Sequence, residues 1–390
     1  MGYLGALIAS GLGRSQRSLG ILFIALIVPF LMIKPVTGID LEKKDALALI
    51  QKIPKVELHA HLDGAVWPAT LMELSTVLAK GKFSDAEDLK KWLQAIPREG
   101  SFEALLEKFD YIIPLLKTSS SLERVTYEFL EDAWRENIIY IEFRFAPLYH
   151  VTDNLSLEQA VQAVLKGKNR AEKEFSLKSG LILCFHGRDK IEQQLRILQC
   201  AYKYRNKGVV GVDFLGDIME DLNRDHARKI YAFIKKHHLN LTVHAGEVSS
   251  PAGIVRAVQE LGAKRIGHGV RLGEDKEIYV WAKEKGVLLE LCPTSNVRLG
   301  IIESYKKHPL PEYFRDGVNV SLNTDDRTIF NTTLTKEWLI CQEEMGLGLE
   351  DLIQINYNAL EGAFIDKKLK KQLKKQIAAG TASVLNALSR

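Results

Sequence analysis

Cysteine is scarce in this sequence of 390 residues, which contains four. None of Cys184, Cys200, Cys292 and Cys341 belongs to a C-x-x-C pair. This spacing argues against a structural zinc knot and a dithiol redox motif, and so few cysteines in a long chain do not indicate a disulfide framework. We therefore expect buried, unpaired thiols, the usual state of free cysteine.

A strong charge of either sign is also lacking, because the formal net charge is only +4. So small a charge gives no argument for nucleic acid or an anionic surface as a partner, and we expect no nucleic-acid binding. The composition is 46% hydrophobic and 26% charged, which allows a full core and excludes a disordered chain. From Glu42 to Leu360 the sequence has no linker rich in Gly, Ser or Pro, no low-complexity tract and no fixed-period repeat.

The N-terminus carries an unusual apolar segment. Arg14 and Arg17 precede an apolar run at Ile21–Ile33, a pattern typical of a secretory signal. The run is short for a spanning helix, which needs roughly 20 apolar residues, and Pro29 interrupts it. A cleaved signal, an uncleaved anchor and a start codon placed too far upstream all remain open. We expect residues 1–39 to lie outside the fold. The protein would be cytoplasmic if they are spurious, and exported or membrane-anchored through them if they are a real signal.

Short β-branched runs alternate with long amphipathic stretches along the rest of the chain. Strands alternating with helices indicate parallel βαβ units, and eight such units suggest a closed (β/α)8 TIM barrel of the α/β class. The predicted strands are Val56–His59, Ile139–Phe145, Leu181–Phe185, Val209–Leu215, Leu241–His244, Arg265–His268, Val287–Leu291 and Val318–Leu322.

Two segments depart from this alternation. The long interval between His59 and Ile139 predicts a helical insertion after the first strand. Within it a stripe at helical spacing (Phe102, Leu105, Leu106 and Phe109) either faces the core or forms a hydrophobic lid. The segment 366–390 is rich in lysine and predicts a C-terminal helical tail with a solvated face. We expect the barrel to span residues 40–365 and the basic tail 366–390.

Polar residues follow several of the predicted strands. In a (β/α)8 barrel the catalytic groups come from the carboxyl ends of several strands. The first strand ends in His59-Ala60-His61, whose two imidazoles face the same way because alternate residues share a face. The remaining strand ends carry His244, Glu247, His268, Asp325 and Asp326. Three histidines joined by an aspartate indicate a metal site. By contrast, His237-His238 follows a lysine pair and is interpreted as a helix surface.

Imidazole and carboxylate ligands without thiolates suit zinc, although iron, cobalt or nickel could occupy such a site. Zinc lowers the pKa of a coordinated water toward roughly 7, which makes hydrolysis the natural reaction class. Glu247 lies close enough to a ligand to act as a general acid with a pKa raised by burial. His268 could deprotonate or orient the attacking water, and Asp326 is placed to hydrogen-bond the substrate.

The ordered set of motifs resembles the adenosine deaminase family of zinc-dependent hydrolases over roughly residues 52–360. Each motif alone is weak, whereas their order and spacing are specific. The motifs are Lys55–Gly64 (KVELHAHLDG), Tyr140–Pro147 (YIEFRFAP), Val212–Asp217 (VDFLGD), His244–Glu247 (HAGE), Arg265–Gly269 (RIGHG), Glu290–Asn296 (ELCPTSN) and Ser321–Asp326 (SLNTDD).

The resemblance implies one Zn2+ ion per chain, and it implies the ligands His59, His61, His244 and Asp325. It further implies that Glu247 protonates N1 of the purine and that His268 assists attack at C6. Contacts with the substrate would come from Asp326 at N7, the backbone N–H of Gly216 at N3, Asp63 at the ribose 5′-hydroxyl, and His61.

Asp63 bears on the choice of substrate. A carboxylate accepts a hydrogen bond from a ribose hydroxyl and repels a 5′-phosphate in a closed site. Relatives acting on adenine or adenine monophosphates carry Glu or Asn there, so adenosine, and with it 2′-deoxyadenosine, is the expected substrate and inosine and ammonia the expected products.

Three alternatives remain: a deaminase of adenine or of an N6-substituted adenine nucleotide, a metal-dependent ester or amide hydrolase, and a catalytically silent binding protein on the same barrel. Arg327 stands where many members have Pro, and the N-terminal extension is foreign to the family pattern. The sequence does not indicate an oligomeric state.

Overall fold

The computed structural model describes residues 43–78, 81–96, 101–216, 219 and 222–388. The predicted N-terminal extension, residues 1–39, lies outside these described residues, so its interpretation stays a prediction. Within the described ranges no helix combines the length and the apolar character that crossing a bilayer requires.

Eight parallel strands form one sheet in sequential order, β1 to β8. Each strand except the first and last pairs with the strands before and after it along the chain, which is the order that consecutive βα units produce. All eight predicted strands are present, and the predicted (β/α)8 barrel is confirmed. The strands are β1 (Lys55–His61), β2 (Ile138–Phe145), β3 (Lys178–His186), β4 (Val209–Leu215), β5 (Leu241–Ala245), β6 (Arg265–His268), β7 (Leu288–Leu291) and β8 (Val320–Leu322).

The barrel closes between its first and last strands with few backbone hydrogen bonds. The segment after β8 reaches β1 through Asp325, whose N–H donates to His59 O (3.0 Å) and whose carbonyl accepts from His61 N–H (3.1 Å). Lower in the seam the side-chain oxygen of Asn323 accepts from Leu58 N–H at 3.0 Å. The closure therefore depends on the residues that also carry the candidate site.

Helices cover the outside of the barrel. The described part of the predicted insertion after β1 contains four helices, within residues 68–135. One further helix precedes β1, and the others lie between strands or follow β8. The helices are α1 (Lys43–Lys52), α2 (Pro68–Val77), α3 (Ala86–Gln94), α4 (Ser101–Ile112), α5 (Ser119–Arg135), α6 (Leu157–Glu174), α7 (Ile191–Tyr204), α8 (Arg224–His237), α9 (Ala252–Glu260), α10 (Lys276–Lys285), α11 (Pro293–Arg298), α12 (Leu310–Arg315), α13 (Leu334–Met345), α14 (Leu349–Gly362) and α15 (Lys367–Leu388).

Helix α4 carries the predicted apolar stripe and lies near the barrel mouth. Its first residue, Ser101, donates a side-chain hydrogen bond to the carbonyl of Leu299, just after α11. Leu105 is buried, whereas Leu106 is 60% exposed. The stripe therefore packs only in part, and a lid function stays a prediction.

The C-terminal helix α15 packs against the barrel. Leu373 and Ile377 are buried in a cluster with Val56 of β1 and Tyr140 of β2. The lysines of this helix are exposed except for the half-buried Lys370, as expected for a solvated face. All four cysteines are buried and free, which confirms the interpretation of unpaired thiols.

Candidate active site

Four histidines and an aspartate meet at the carboxyl ends of the strands. The ring centroid of His59 lies 4.8 Å from the centroids of both His244 and His268, and 5.3 Å from that of His61. Asp325 Oδ1 lies 3.5 Å from His59 Nε2 and 3.4 Å from His61 Nε2. Strands β1, β5 and β6 supply the imidazoles, and the segment after β8 supplies the carboxylate. The structure thus brings together the residues that the sequence predicts as ligands.

The free ring nitrogens of this cluster suit a cation. His59 Nδ1 lies 2.9 Å from Glu290 Oε2, and His244 Nδ1 lies 3.1 Å from Asp213 Oδ1. Because a carboxylate accepts, each Nδ1 carries a hydrogen, and Nε2 is then the atom that bears the lone pair in the neutral ring, the usual arrangement behind metal-bound histidine. His59 Nε2 is buried, and no described residue offers it a hydrogen bond. Burial lowers the pKa of His61 to about 3, which keeps this ring in the neutral form that ligates metals.

Two groups of three residues share His59, and within each group the potential ligand atoms lie within 4.8 Å of one another. The groups are His59 with His244 and His268, and His59 with Cys292 and Asp325. Burial raises the pKa of the Cys292 thiol well above its usual range, so this group stays protonated and is a poor ligand. His268 Nε2 lies 4.0 Å from Asp325 Oδ2. Proximity alone does not separate His268 from the predicted ligands, so the ligand set stays a prediction.

A buried guanidinium lies behind the cluster. Arg144 Nη1 donates to Asp213 Oδ2 at 2.7 Å, and Nη2 donates to Glu290 Oε2 at 2.8 Å. These are the two carboxylates that hold His59 and His244. One arginine therefore links the orienting partners of two candidate ligands on opposite sides of the barrel.

Sequence reasoning assigned no role to Arg144, Asp213 or Glu290. The available signal was a charged residue flanked by apolar residues inside a strand, as in Phe-Arg-Phe, Val-Asp-Phe and Leu-Glu-Leu. Burial alone would raise the pKa of Glu290, yet the guanidinium groups of Arg144 and Arg265 hold it well below its usual range. Arg265 Nε donates to Glu290 Oε1 at 2.6 Å.

The predicted acid and base lie side by side. Glu247 Oε1 is 3.3 Å from His268 Nδ1 and 3.4 Å from Asn296 Nδ2. Asn296 is a further contact that sequence reasoning left without a role. Burial, followed by the neighbouring His59, lowers the pKa of His268 well below its usual range, so this imidazole is neutral.

The backbone at two of these positions is strained. His268 has a φ of 60° and Asp325 a φ of 63°, in the left-handed region that residues other than glycine rarely adopt. Such strain persists only where the surroundings fix the chain, and it concentrates at functional sites.

Asp63 and Asp326 lie at the same mouth and are 5% and 4% exposed. Burial, together with the carboxylates of Asp325, Asp63 and Glu247, raises the pKa of Asp326 well above its usual range. Its buried Oδ1 has no hydrogen-bond partner among the described residues. A Cβ on Gly64 would lie 1.8 Å from that oxygen, so only glycine fits beside it.

Gly216 follows β4 with a φ of 107°, and a Cβ there would lie 2.7 Å from His186 Nε2. Backbone conformation and space both require glycine at this predicted contact. The next residue of the predicted motif, Asp217, lies outside the described residues.

The last two features that the sequence analysis singled out are Arg327 and His237. Arg327 is buried and forms ion pairs with Glu57 of β1 and with Glu136, the second at 3.5 Å. Its charge is thus compensated at the seam. His237 ends α8 and packs on Phe233 with ring centroids 4.3 Å apart, away from the histidine cluster.

The barrel and its site define a class of protein, the (β/α)8-barrel hydrolases with a candidate metal centre. The sequence profile of the family described as "Adenosine deaminase" matches residues 54–380. An adenosine deaminase of Clostridium perfringens is 36% identical over 326 residues, which cover 83% of this chain and 98% of that protein. The chain belongs to the adenosine deaminase family.

Solved structures agree with this assignment. The crystal structure of an N6-mAMP deaminase from Arabidopsis superposes with a TM-score of 0.75 at 27% identity, covering 85% of this chain and 99% of that one. An adenine deaminase from Arthrobacter aurescens superposes with a TM-score of 0.76 at 22% identity, covering 84% and 98%. The second likeness concerns the fold alone.

Proposed function

We propose that the protein is an adenosine deaminase, which converts adenosine and water into inosine and ammonia and accepts 2′-deoxyadenosine as well. The observation that carries the proposal is the contact between Glu247 and His268 beside the cluster of candidate ligands. A carboxyl group and a neutral imidazole next to a metal site are suited to hydrolysis with proton transfer. The identity to the Clostridium perfringens protein supports the choice of adenosine.

The proposed cofactor is one Zn2+ ion, held by His59, His61, His244 and Asp325. Three imidazoles and a carboxylate are ligands that zinc favours, and the pairing of two Nδ1 atoms with carboxylates leaves Nε2 available. The bound ion would supply an activated water as nucleophile at neutral pH.

The residues of the chain then handle protons at named atoms. Glu247 donates a proton to N1 of the purine, which makes C6 electrophilic. His268 is neutral and accepts a hydrogen bond from the attacking water, orienting it toward C6. N7 only accepts, so Asp326, whose pKa is raised by burial and by the neighbouring carboxylates, would donate to N7 in its protonated form. The N–H of Gly216 donates to N3.

The ribose end of the site distinguishes a nucleoside from a nucleotide. Asp63 is buried near His61 and is proposed to accept the 5′-hydroxyl. The likeness to the N6-mAMP deaminase favours a second candidate, the hydrolysis of an N6-substituted adenine nucleotide.

The proposal is tested by following ultraviolet absorbance of the purified protein with stoichiometric zinc. Adenosine, 2′-deoxyadenosine, adenine and N6-methyl-AMP are compared in parallel. We expect rapid conversion of the two nucleosides only. Activity confined to N6-methyl-AMP would establish the second candidate, and inactivity on all substrates with zinc bound would contradict both.

Two variants assign the roles of residues. Glu247→Gln should keep zinc, measured by metal analysis, and lose most of kcat, by a factor of about 100 or more, because the proton donor is removed. His244→Ala should lose zinc and activity together. Near-native kcat in Glu247→Gln would show that the acid has been assigned to the wrong residue.

A further inference from the structure

Asp63 has a partner that the sequence did not indicate. His150 ends a short 3-10 turn, Pro147–His150, that follows β2. Its side chain is fully buried, and its Nε2 lies 3.1 Å from Asp63 Oδ1. Neither of these two buried atoms has a hydrogen-bond partner in the described part of the chain, so the pair forms a close polar contact and not an aligned hydrogen bond. The two side chains therefore face each other beside the site.

The other ring nitrogen of His150 is held as well. Nδ1 lies 3.0 Å from the carbonyl oxygen of Leu116, which follows α4 in the insertion. The ring also packs against Phe145, with centroids 5.7 Å apart. These contacts fix the imidazole before any substrate binds, so Asp63 meets a rigid partner.

The Leu116 carbonyl determines which way the His150 ring is used. This oxygen only accepts, so Nδ1 carries a hydrogen and donates it to Leu116. Nε2 is then the ring nitrogen that is turned toward the Asp63 carboxyl group.

We propose that His150 is a positioning residue that sets the preference of the site for a substrate with a free ribose 5′-hydroxyl; this inference rests on the proposed deaminase function. By engaging Oδ1, the ring fixes the orientation of Asp63 and leaves the second carboxyl oxygen to accept the hydroxyl. Because this contact restricts rotation of the Asp63 side chain, the side chain loses its conformational entropy when the protein folds and not when the substrate binds.

Two substrates separate this role from a general structural one. 5′-Deoxyadenosine has the same purine as adenosine but lacks the hydroxyl that Asp63 would contact. The readout is the ratio of kcat/KM for adenosine to kcat/KM for 5′-deoxyadenosine. A loss of packing alone lowers both values together and leaves the ratio unchanged.

Two matched variants separate the two ring nitrogens. The amide of His150→Asn reaches only the position of Nδ1, so it can keep the Leu116 contact and lose the Asp63 contact. The amide of His150→Gln reaches the position of Nε2 and can still donate to Asp63. We expect the Asn variant to lower the ratio about tenfold, mainly through a higher KM for adenosine, because the contact that orients Asp63 is lost. The Gln variant should restore most of the wild-type ratio.

Further variants test whether Asp63 and His150 act through the same contact. Asp63→Ala should lower the ratio at least as far, and combining it with His150→Asn should add nothing, since both act on one contact. His237→Asn, on α8 away from the site, should leave the ratio unchanged. An unchanged ratio in His150→Asn, or an equal loss with both substrates, would overturn the inference while the deaminase function stands. Inactivity of the wild-type protein on adenosine would overturn the proposed function itself.

Discussion

Glu337 of α13 is a buried carboxyl group whose ionisation we expect to affect stability. It is 0% exposed, and it accepts hydrogen bonds from Thr294 N–H at 3.2 Å and from the Thr332 hydroxyl. Thr294 lies in α11 after β7, and Thr332 follows β8. Burial raises the pKa of Glu337 from 4.5 to about 7. We predict that Glu337→Gln stabilises the protein increasingly as the pH rises.

The sign and the size of this stability effect follow from the pKa values of Glu337 in the unfolded chain and in the folded protein. Between pH 4.5, where the group ionises in the unfolded chain, and about pH 7, where it ionises in the folded protein, the folded state binds one more proton. The free energy of unfolding contributed by this group therefore falls as the pH rises through that window. A gap of roughly 2.5 pKa units corresponds to about 3 kcal/mol. Glutamine removes this term because its amide does not ionise, and it can still accept from Thr294 and donate to the Thr332 oxygen.

Urea unfolding of both proteins at a series of pH values measures the effect. The difference in the free energy of unfolding should be close to zero near pH 4 and should approach about 3 kcal/mol in favour of glutamine near pH 8. Glu344→Gln, an exposed change on the same helix, serves as the control and should give a difference independent of pH. A constant difference for Glu337→Gln, or one that grows toward acid, would refute the reasoning.

Three further predictions concern the site. Gly64→Ala places a Cβ 1.8 Å from Asp326 Oδ1, so the carboxyl group of Asp326 must move. Steady-state assays should then show kcat/KM for adenosine falling more than about tenfold. Near-native kinetics would contradict this contact. Arg144→Met leaves Asp213 and Glu290 without their shared guanidinium. Urea titration should show a loss of about 3–5 kcal/mol in the free energy of unfolding, and chelator competition should show weaker zinc binding. An unchanged zinc affinity would argue against the orienting role of Arg144. Removal of the ion with a chelator should lower the melting temperature, and added zinc should restore it, because the ligand binds only the folded state.

The architecture could be predicted because each element has a local cause. The segment Val209–Leu215 is a mostly apolar run bounded by glycine, and it forms β4 with the same limits. His59 and His61 end such a run, and alternation along β1 places both at the mouth. Local patterns of this kind need no knowledge of distant contacts, so they can be recognised from sequence alone.

The contacts behind the ligands depend on distant parts of the chain. Glu290 reaches His59 across 231 positions, and Arg144 reaches Glu290 across 146. No local pattern specifies such pairs; only the closed barrel brings them together. His150 was missed for the same reason, since its partner Asp63 lies on another strand end.

The closing seam affects how the active site is assembled. Leu58 and Asn323 are 265 positions apart, and Asp325 joins β1 a few residues further on. The carboxylate therefore contacts the histidines only where the ring of strands closes. A cation held by His59 and Asp325 would link the first strand to the segment after the last. Hydrogen exchange at the amides of His61 and Asp325 would then measure metal occupancy and barrel opening as one equilibrium.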